Sequence, residues 1–193
     1  MSCGAEALKI GREKRKRMPI EIEGVVLKKF PANTNTDEII SGKYKYDELD
    51  MEKLAVHTFE AVCEGFYEAA KRCKNPILVA GRNFGCGSSR EQAPAVLKAC
   101  GIACIVAPSF ARIFFRNAIN IGLPLVEVAE SVVQRIEEGD ELSIDFNAAR
   151  IRNLTRGEEY AARKLPDFLC EILDGGLVEF LRKHKGFPME SGE

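Results

Sequence analysis

The sequence predicts an α/β fold, and three observations carry that expectation. The apolar runs Ile77–Ala80 and Ala103–Ala107 read as strands buried on both faces, the form strands take in parallel sheets. Each is followed by a stretch of helical character, Ser89–Ala99 and Ser109–Ile121, so strand and helix alternate along the chain. Between the first strand and its helix lies Gly81-Arg82-Asn83-Phe84-Gly85-Cys86-Gly87-Ser88-Ser89-Arg90-Glu91, a glycine-rich turn leading into a helix start.

Taken in order, residues 1–17 are rich in glycine and charge, end in Arg12-Glu13-Lys14-Arg15-Lys16-Arg17, and lack any apolar periodicity to anchor them. They read as a disordered or loosely docked arm, with a single domain over 18–193. Met18 is an alternative start, because Pro19-Ile20-Glu21-Ile22 leads straight into structure. Alternation predicts a strand over Ile22–Phe30, followed by the polar turn Pro31–Asn35 and then Thr36–Ile40. The stretch 41–64 is a long excursion with a short helix near Met51–Val56, and a helix at Phe66–Arg72 precedes the first apolar strand. Pro94 fits only a first helical turn, so the helix after the glycine turn begins no further upstream than about Ser89. Ser109 suits an N-cap, and Gly122 with Pro124 stops its helix. A strand at Leu123–Val128, a helix at Ser131–Glu138 and a hairpin of Glu141–Phe146 with Ile151–Thr155 follow. Pro166-Asp167 opens a helix that Gly175-Gly176 breaks before a last segment, Leu177–Lys183.

The 193 residues, 46% apolar and 30% charged, suffice for one buried core. A formal net charge of −1 argues against a nucleic-acid or membrane-surface binder, which relies on a basic footprint. Small molecules or protein partners fit better. There is no secretory leader and no apolar run near the roughly 18 residues that span a bilayer. Seven scattered cysteines, an odd number with no Cys-x-x-Cys, point to reduced thiols and a cytoplasmic setting rather than to a self-contained metal site.

The chemistry concentrates at the glycine turn. Amides at a helix start carry partial positive charge, so Ser88, Ser89 and their amides would hold a carboxylate or phosphate while Arg90 pairs with it bidentately. A capping box competes with this reading, since Ser88–Glu91 and Ser89–Gln92 both match its spacing. A hydroxyl serves as a base only where amides and a cation stabilise its alkoxide, and Arg90 supplies the cation. Cys86 is a rival nucleophile beside the same helix start. Asp37 is the second candidate, with a turn or cap role as its competitor. Arg112 and Arg116 lie one turn apart on a solvated or partner-facing edge.

Three stretches, Asn35-Thr36-Asp37-Glu38-Ile39-Ile40, residues 81–94 from Gly81 to Pro94, and Ser109-Phe110-Ala111-Arg112-Ile113-Phe114-Phe115-Arg116-Asn117, together resemble the small-subunit family of 3-isopropylmalate dehydratases. The resemblance runs in order over about residues 19–185. It implies the swivelling β/β/α domain that aconitase carries at its C-terminus, and a [4Fe-4S] hydro-lyase whose cluster sits in a separate large subunit. The reaction so implied interconverts 2- and 3-isopropylmalate through 2-isopropylmaleate in leucine biosynthesis. The resemblance places a proton-abstracting serine at Ser88, carboxylate-holding groups at Ser89 and Arg90, and an active-site aspartate at Asp37 beside Thr36. It also implies a substrate-specificity loop over Tyr44, Lys45 and Tyr46. Tyr46 falls where aconitase places an arginine, which favours an apolar or mixed substituent on the acid; Lys43 and Lys45 can still meet a carboxylate. The alternatives are the small subunit of homoaconitase or of 2,3-dimethylmalate dehydratase, or a carboxylate-binding or assembly module without chemistry.

Overall fold

The computed structural model describes residues 21–44, 50–88 and 90–184. The expected arm, residues 1–17, lies outside them. Among the described residues, seven strands form one sheet: β1 (Glu21–Phe30), β2 (Pro76–Ala80), β3 (Cys104–Ala107), β4 (Leu125–Glu127), β5 (Glu141–Asp145), β6 (Arg150–Asn153) and β7 (Glu158–Ala161). Their spatial order is β4-β3-β2-β1-β5-β6-β7. Strands β4 to β1 pair parallel, whereas β1 to β7 continue antiparallel through β5 and β6. The first strand therefore sits at the centre, with a parallel half on one side and an antiparallel half on the other. The sheet curls until its ends meet. Val128, just past β4, bridges Ala162, just past β7, and the Arg163 amide donates to the Glu127 carbonyl at 2.8 Å.

Every residue of β2 and β3 is buried, as their unbroken apolar runs require. Their side chains alternate between two cores. Leu78, Ala80, Ile105 and Ala107 face the first, with helices α2 (Met51–Ala55), α3 (Phe66–Arg72), α4 (Gln92–Ala99) and α5 (Arg112–Asn120) over it. Ile77, Val79, Cys104 and Val106 face the second, inside the curl. That core also takes Ile144, Ile151 and Tyr160, together with α6 (Glu130–Arg135), α7 (Asp167–Leu173) and α8 (Leu177–His184). Each buried Leu, Ile or Val is stabilised by roughly 1.5–3 kcal/mol relative to an exposed one, so the strands that carry the site loops stand on the most stable part of the fold.

Several boundaries differ from those expected. The helix after the glycine turn starts at Gln92 rather than near Ser89, which puts Pro94 in its first turn and leaves Ser88 outside it. Ser109 does not cap α5. The cap position is Ala111, without a side-chain bond, and Ser109 Oγ instead accepts the Asn83 amide. The helix expected over Ser131–Glu138 ends at Arg135, because Glu137 and Glu138 turn to meet Asp140 and Lys28. Strand β7 has no counterpart in the sequence reading, since its single buried side chain, Tyr160, gives little pattern to read. Thr36–Ile39 forms a one-turn helix, α1, capped by Asn35.

Candidate active site

Three loops leave the C-terminal ends of β1, β2 and β3 and meet at one edge of the sheet, where ligands of α/β folds collect. Backbone bonds fasten the first two together. The Asn33 amide donates to Arg82 O at 2.9 Å, Gly85 to Thr34 O at 2.8 Å and Thr36 to Cys86 O at 2.8 Å. The third joins through Phe84, whose amide donates to Ser109 O and whose carbonyl accepts from Ala111. Asn33 and Asn83 both take positive φ, which asparagine tolerates, and Asn83 Nδ2 donates to Asn33 Oδ1 at 2.9 Å. At Gly85, φ is +76°, and a Cβ there would lie 2.3 Å from the Phe114 ring.

This scaffold sets the side chains. The Ser88 carbonyl accepts from Thr36 Oγ1 at 3.1 Å and from the Arg90 amide at 2.8 Å, while the residue itself is exposed. Glu91 holds the cap position of α4 with no side-chain bond, so Ser88 is not spent on capping. The capping box lies instead at Asn35–Glu38, where Asn35 Oδ1 accepts from the Asp37 and Glu38 amides and Glu38 accepts from the Asn35 amide. That spacing is visible in Asn35-Thr36-Asp37-Glu38, the stretch for which the sequence also offers a turn or cap role. Thr36 is buried, with its hydroxyl turned toward Ser88.

Asp37 is more than half exposed and pairs with Arg90 NH2 through Oδ1 at 2.7 Å. Arg90 NH1 donates to Ile40 O at 3.1 Å, and its Nε is buried without an acceptor among the described residues. Gly42 lies against the guanidinium: a Cβ there would sit 2.8 Å from NH2. Arg90 is thus clamped by groups within α1 and just past its C-terminal end. Asp37 also lines a cavity of about 140 Å³ with Glu38, Ser41, Lys43, His57, Glu60 and Ala61. A cleft of about 350 Å³ between Phe110, Phe115, Leu165 and Leu169 contains none of these groups.

Tyr44 ends a single 3-10 turn, Gly42–Tyr44, and its hydroxyl donates to Glu60. Sequence reasoning missed Glu60 and its neighbour His57, which carry no motif of their own. Ser89, Lys45 and Tyr46 lie outside the described residues. Cys86 is half-buried with its thiol donated to Asn33 O at 3.2 Å, an arrangement that suits a structural thiol better than a nucleophile. Burial pushes the Cys100 thiol up to about 11 and the Cys104 thiol higher still. Among the described residues no three His, Cys, Asp or Glu side chains converge in a set able to hold a metal ion.

A family model described as the aconitase C-terminal domain matches residues 9–130. The chain belongs to that family. Among its relatives is the 3-isopropylmalate dehydratase small subunit 1 of Thermotoga maritima, 50% identical over 161 residues that make up 83% of this chain and 95% of that one. The small subunit 1 of the same enzyme from Archaeoglobus fulgidus is 53% identical over 155 residues, 80% of this chain and 93% of the relative. Among solved structures, the crystal structure of 3-isopropylmalate dehydratase (leuD) from Methanocaldococcus jannaschii superposes with a TM-score of 0.77 at 39% identity, covering 86% of this chain and 96% of that one. At the open end of the sheet the described residues place the exposed Ser88, the clamped Arg90 guanidinium and the Asp37 carboxylate, groups of the kind that grip an acid and move a proton. No helix of the described residues is long and apolar enough to cross a membrane.

Proposed function

We propose that this chain is the small subunit of a two-chain 3-isopropylmalate dehydratase, a cytoplasmic hydro-lyase of leucine biosynthesis that interconverts 2- and 3-isopropylmalate through 2-isopropylmaleate. The observation that carries the reading is the exposed Ser88 hydroxyl beside the Asp37–Arg90 pair, on loops fastened at the C-terminal ends of three parallel strands. The names and coverage of the relatives favour isopropylmalate over the homoaconitase and dimethylmalate alternatives. Free thiols at Cys63, Cys73, Cys86, Cys100 and Cys104 fit a reducing compartment.

The described residues offer no seat for the [4Fe-4S] cluster, which this reading assigns to the large subunit. When bound there, it supplies a Lewis acid for the substrate's hydroxyl and carboxylate. This chain's share is the proton. Ser88, as alkoxide, takes the hydrogen from the substrate carbon as hydroxide leaves the neighbouring carbon, forming the double bond. The resulting Ser88 O–H then returns that proton to one alkene carbon as hydroxide adds to the other, and which carbon receives which decides the isomer. Amides of the glycine turn and Arg90 stabilise the alkoxide, because each places a donor or positive charge where negative charge develops. Arg90 and Ser89 hold a substrate carboxylate. Thr36 keeps Ser88 in place through its carbonyl, and Asp37 fixes the guanidinium.

Ser88→Ala tests the reading. In a complex reconstituted with the large subunit, turnover should fall by about three orders of magnitude while the subunits still co-elute. Near-normal turnover would dispose of the assignment. Assaying the unsubstituted complex on isopropylmalate, homocitrate-type and dimethylmalate substrates decides among the acids.

A further inference from the structure

Glu60 gathers polar partners from the Gly42–Tyr44 turn and from His57. Its carboxylate accepts from the Tyr44 hydroxyl, lies 3.0 Å from His57 Nδ1 through Oε2, and pairs with Lys43 Nζ at 3.7 Å through Oε1. The Tyr44 and His57 rings stack with centroids 3.9 Å apart, and Lys43 Nζ lies 4.6 Å from the Tyr44 ring centre. The hydrogen bond from Tyr44, and secondarily that from His57 and the charge of Lys43, hold the Glu60 carboxyl below its ordinary value despite some desolvation. The hub is therefore anionic at neutral pH.

The backbone around Glu60 is held in place from below. Phe59, between Thr58 and Glu60, takes a φ of +55°, which a bulky residue adopts only when its surroundings compel it. Its fully buried ring stacks on Phe30 at 4.1 Å and meets Phe66 edge-on, and its amide donates to Ile39 O. With Phe59 fixed in the core, His57 and Glu60 stand at the rim of the cavity that Asp37 shares. On the far side of the turn, Gly42 supports the Arg90 guanidinium. Core, Phe59, Glu60, turn and Arg90 form one chain of contacts.

We infer that Glu60 is a positioning residue: it fixes the Gly42–Tyr44 turn against Arg90 and so sets the wall of the cavity that Asp37 lines. The inference rests on the function proposed above. His57 is its companion, stacking on Tyr44 while sharing the same carboxylate.

The test uses the reconstituted complex with Glu60→Ala, Glu60→Gln and Tyr44→Phe. Glu60→Ala should raise KM for 3-isopropylmalate about tenfold with kcat within about threefold, because binding geometry and not proton transfer is disturbed. Glu60→Gln, which keeps an acceptor for Tyr44, should restore KM to within about threefold of the unsubstituted complex. Tyr44→Phe removes one hydroxyl and leaves the fold, so it covers the case in which Glu60→Ala does not fold; it should raise KM about fivefold. An unmoved KM in Glu60→Ala or Tyr44→Phe, or equal losses in the Ala and Gln variants, would overturn the inference. An unsubstituted complex inactive on isopropylmalate would overturn this inference and the proposed function together.

Discussion

Arg90 has two of its three nitrogens committed before any substrate arrives: NH2 to Asp37 and NH1 to Ile40 O. A lysine has one point charge and no fork, so it cannot hold both partners and a substrate carboxylate at once. Arg90→Lys should therefore raise KM about tenfold or more in the reconstituted complex, with a smaller change in kcat. Unchanged affinity would remove Arg90 from substrate binding. Gly42 belongs to the same argument. Any side chain there meets the guanidinium, and Gly42→Ala should weaken binding in the direction of Arg90→Lys, measured in the same assay.

At the scale of single elements, two features carry stability. Gly85 occupies positive φ directly above the Phe114 ring, so Gly85→Ala adds backbone strain and a clash with a buried aromatic. We expect thermal unfolding to show a loss of at least about 2 kcal/mol, with the site loop losing its register. Asp140 ties the turn after α6 to β6. Its almost fully buried side chain accepts from the Glu137 amide, Asn153 Nδ2 and Arg156 Nε. Burial alone would raise its pKa, but these bonds together hold it below the ordinary carboxylate value. A lowered folded-state pKa means that the stabilisation is fully present above the unfolded pKa of about 4 and is lost as pH falls through the folded value. Asp140→Asn should cost about 2 kcal/mol at pH 7 and flatten the fall in melting temperature on acidification below about pH 4. An unchanged acid limb would discount Asp140 as its source.

The same elements show what the sequence made legible. The strands β2 and β3, the helix breaks at Gly122 and Gly175-Gly176, and the grouping of Ser88 with Arg90 follow from local chemistry. The start of α4 does not, because the competition between a capping serine and a free one depends on the bonds that the Thr36 hydroxyl and the Arg90 amide donate to the Ser88 carbonyl. Glu60 escaped notice for a related reason. Its importance comes from three partners brought together by the core residue Phe59, and no spacing along the chain announces them.

At the scale of the whole molecule, the site is a rim rather than an enclosed pocket: Ser88 and Asp37 stand exposed at one end of the sheet. Calorimetric titration of the chain alone with 3-isopropylmalate should give a Kd above about 1 mM, because an open half-site neither excludes water nor surrounds the acid. Tight binding without the partner would refute the two-chain reading. The placement of β1 bears on how the chain is made. Glu21 lies opposite Asp145, so the central strand emerges from the ribosome long before its antiparallel neighbour exists. At ordinary synthesis rates the wait is on the order of ten seconds, during which one edge of β1 is unpaired and open to chaperones or to other nascent chains. A fragment ending before Glu141 would keep that edge permanently, and should aggregate even though the strands that carry the site loops are already present.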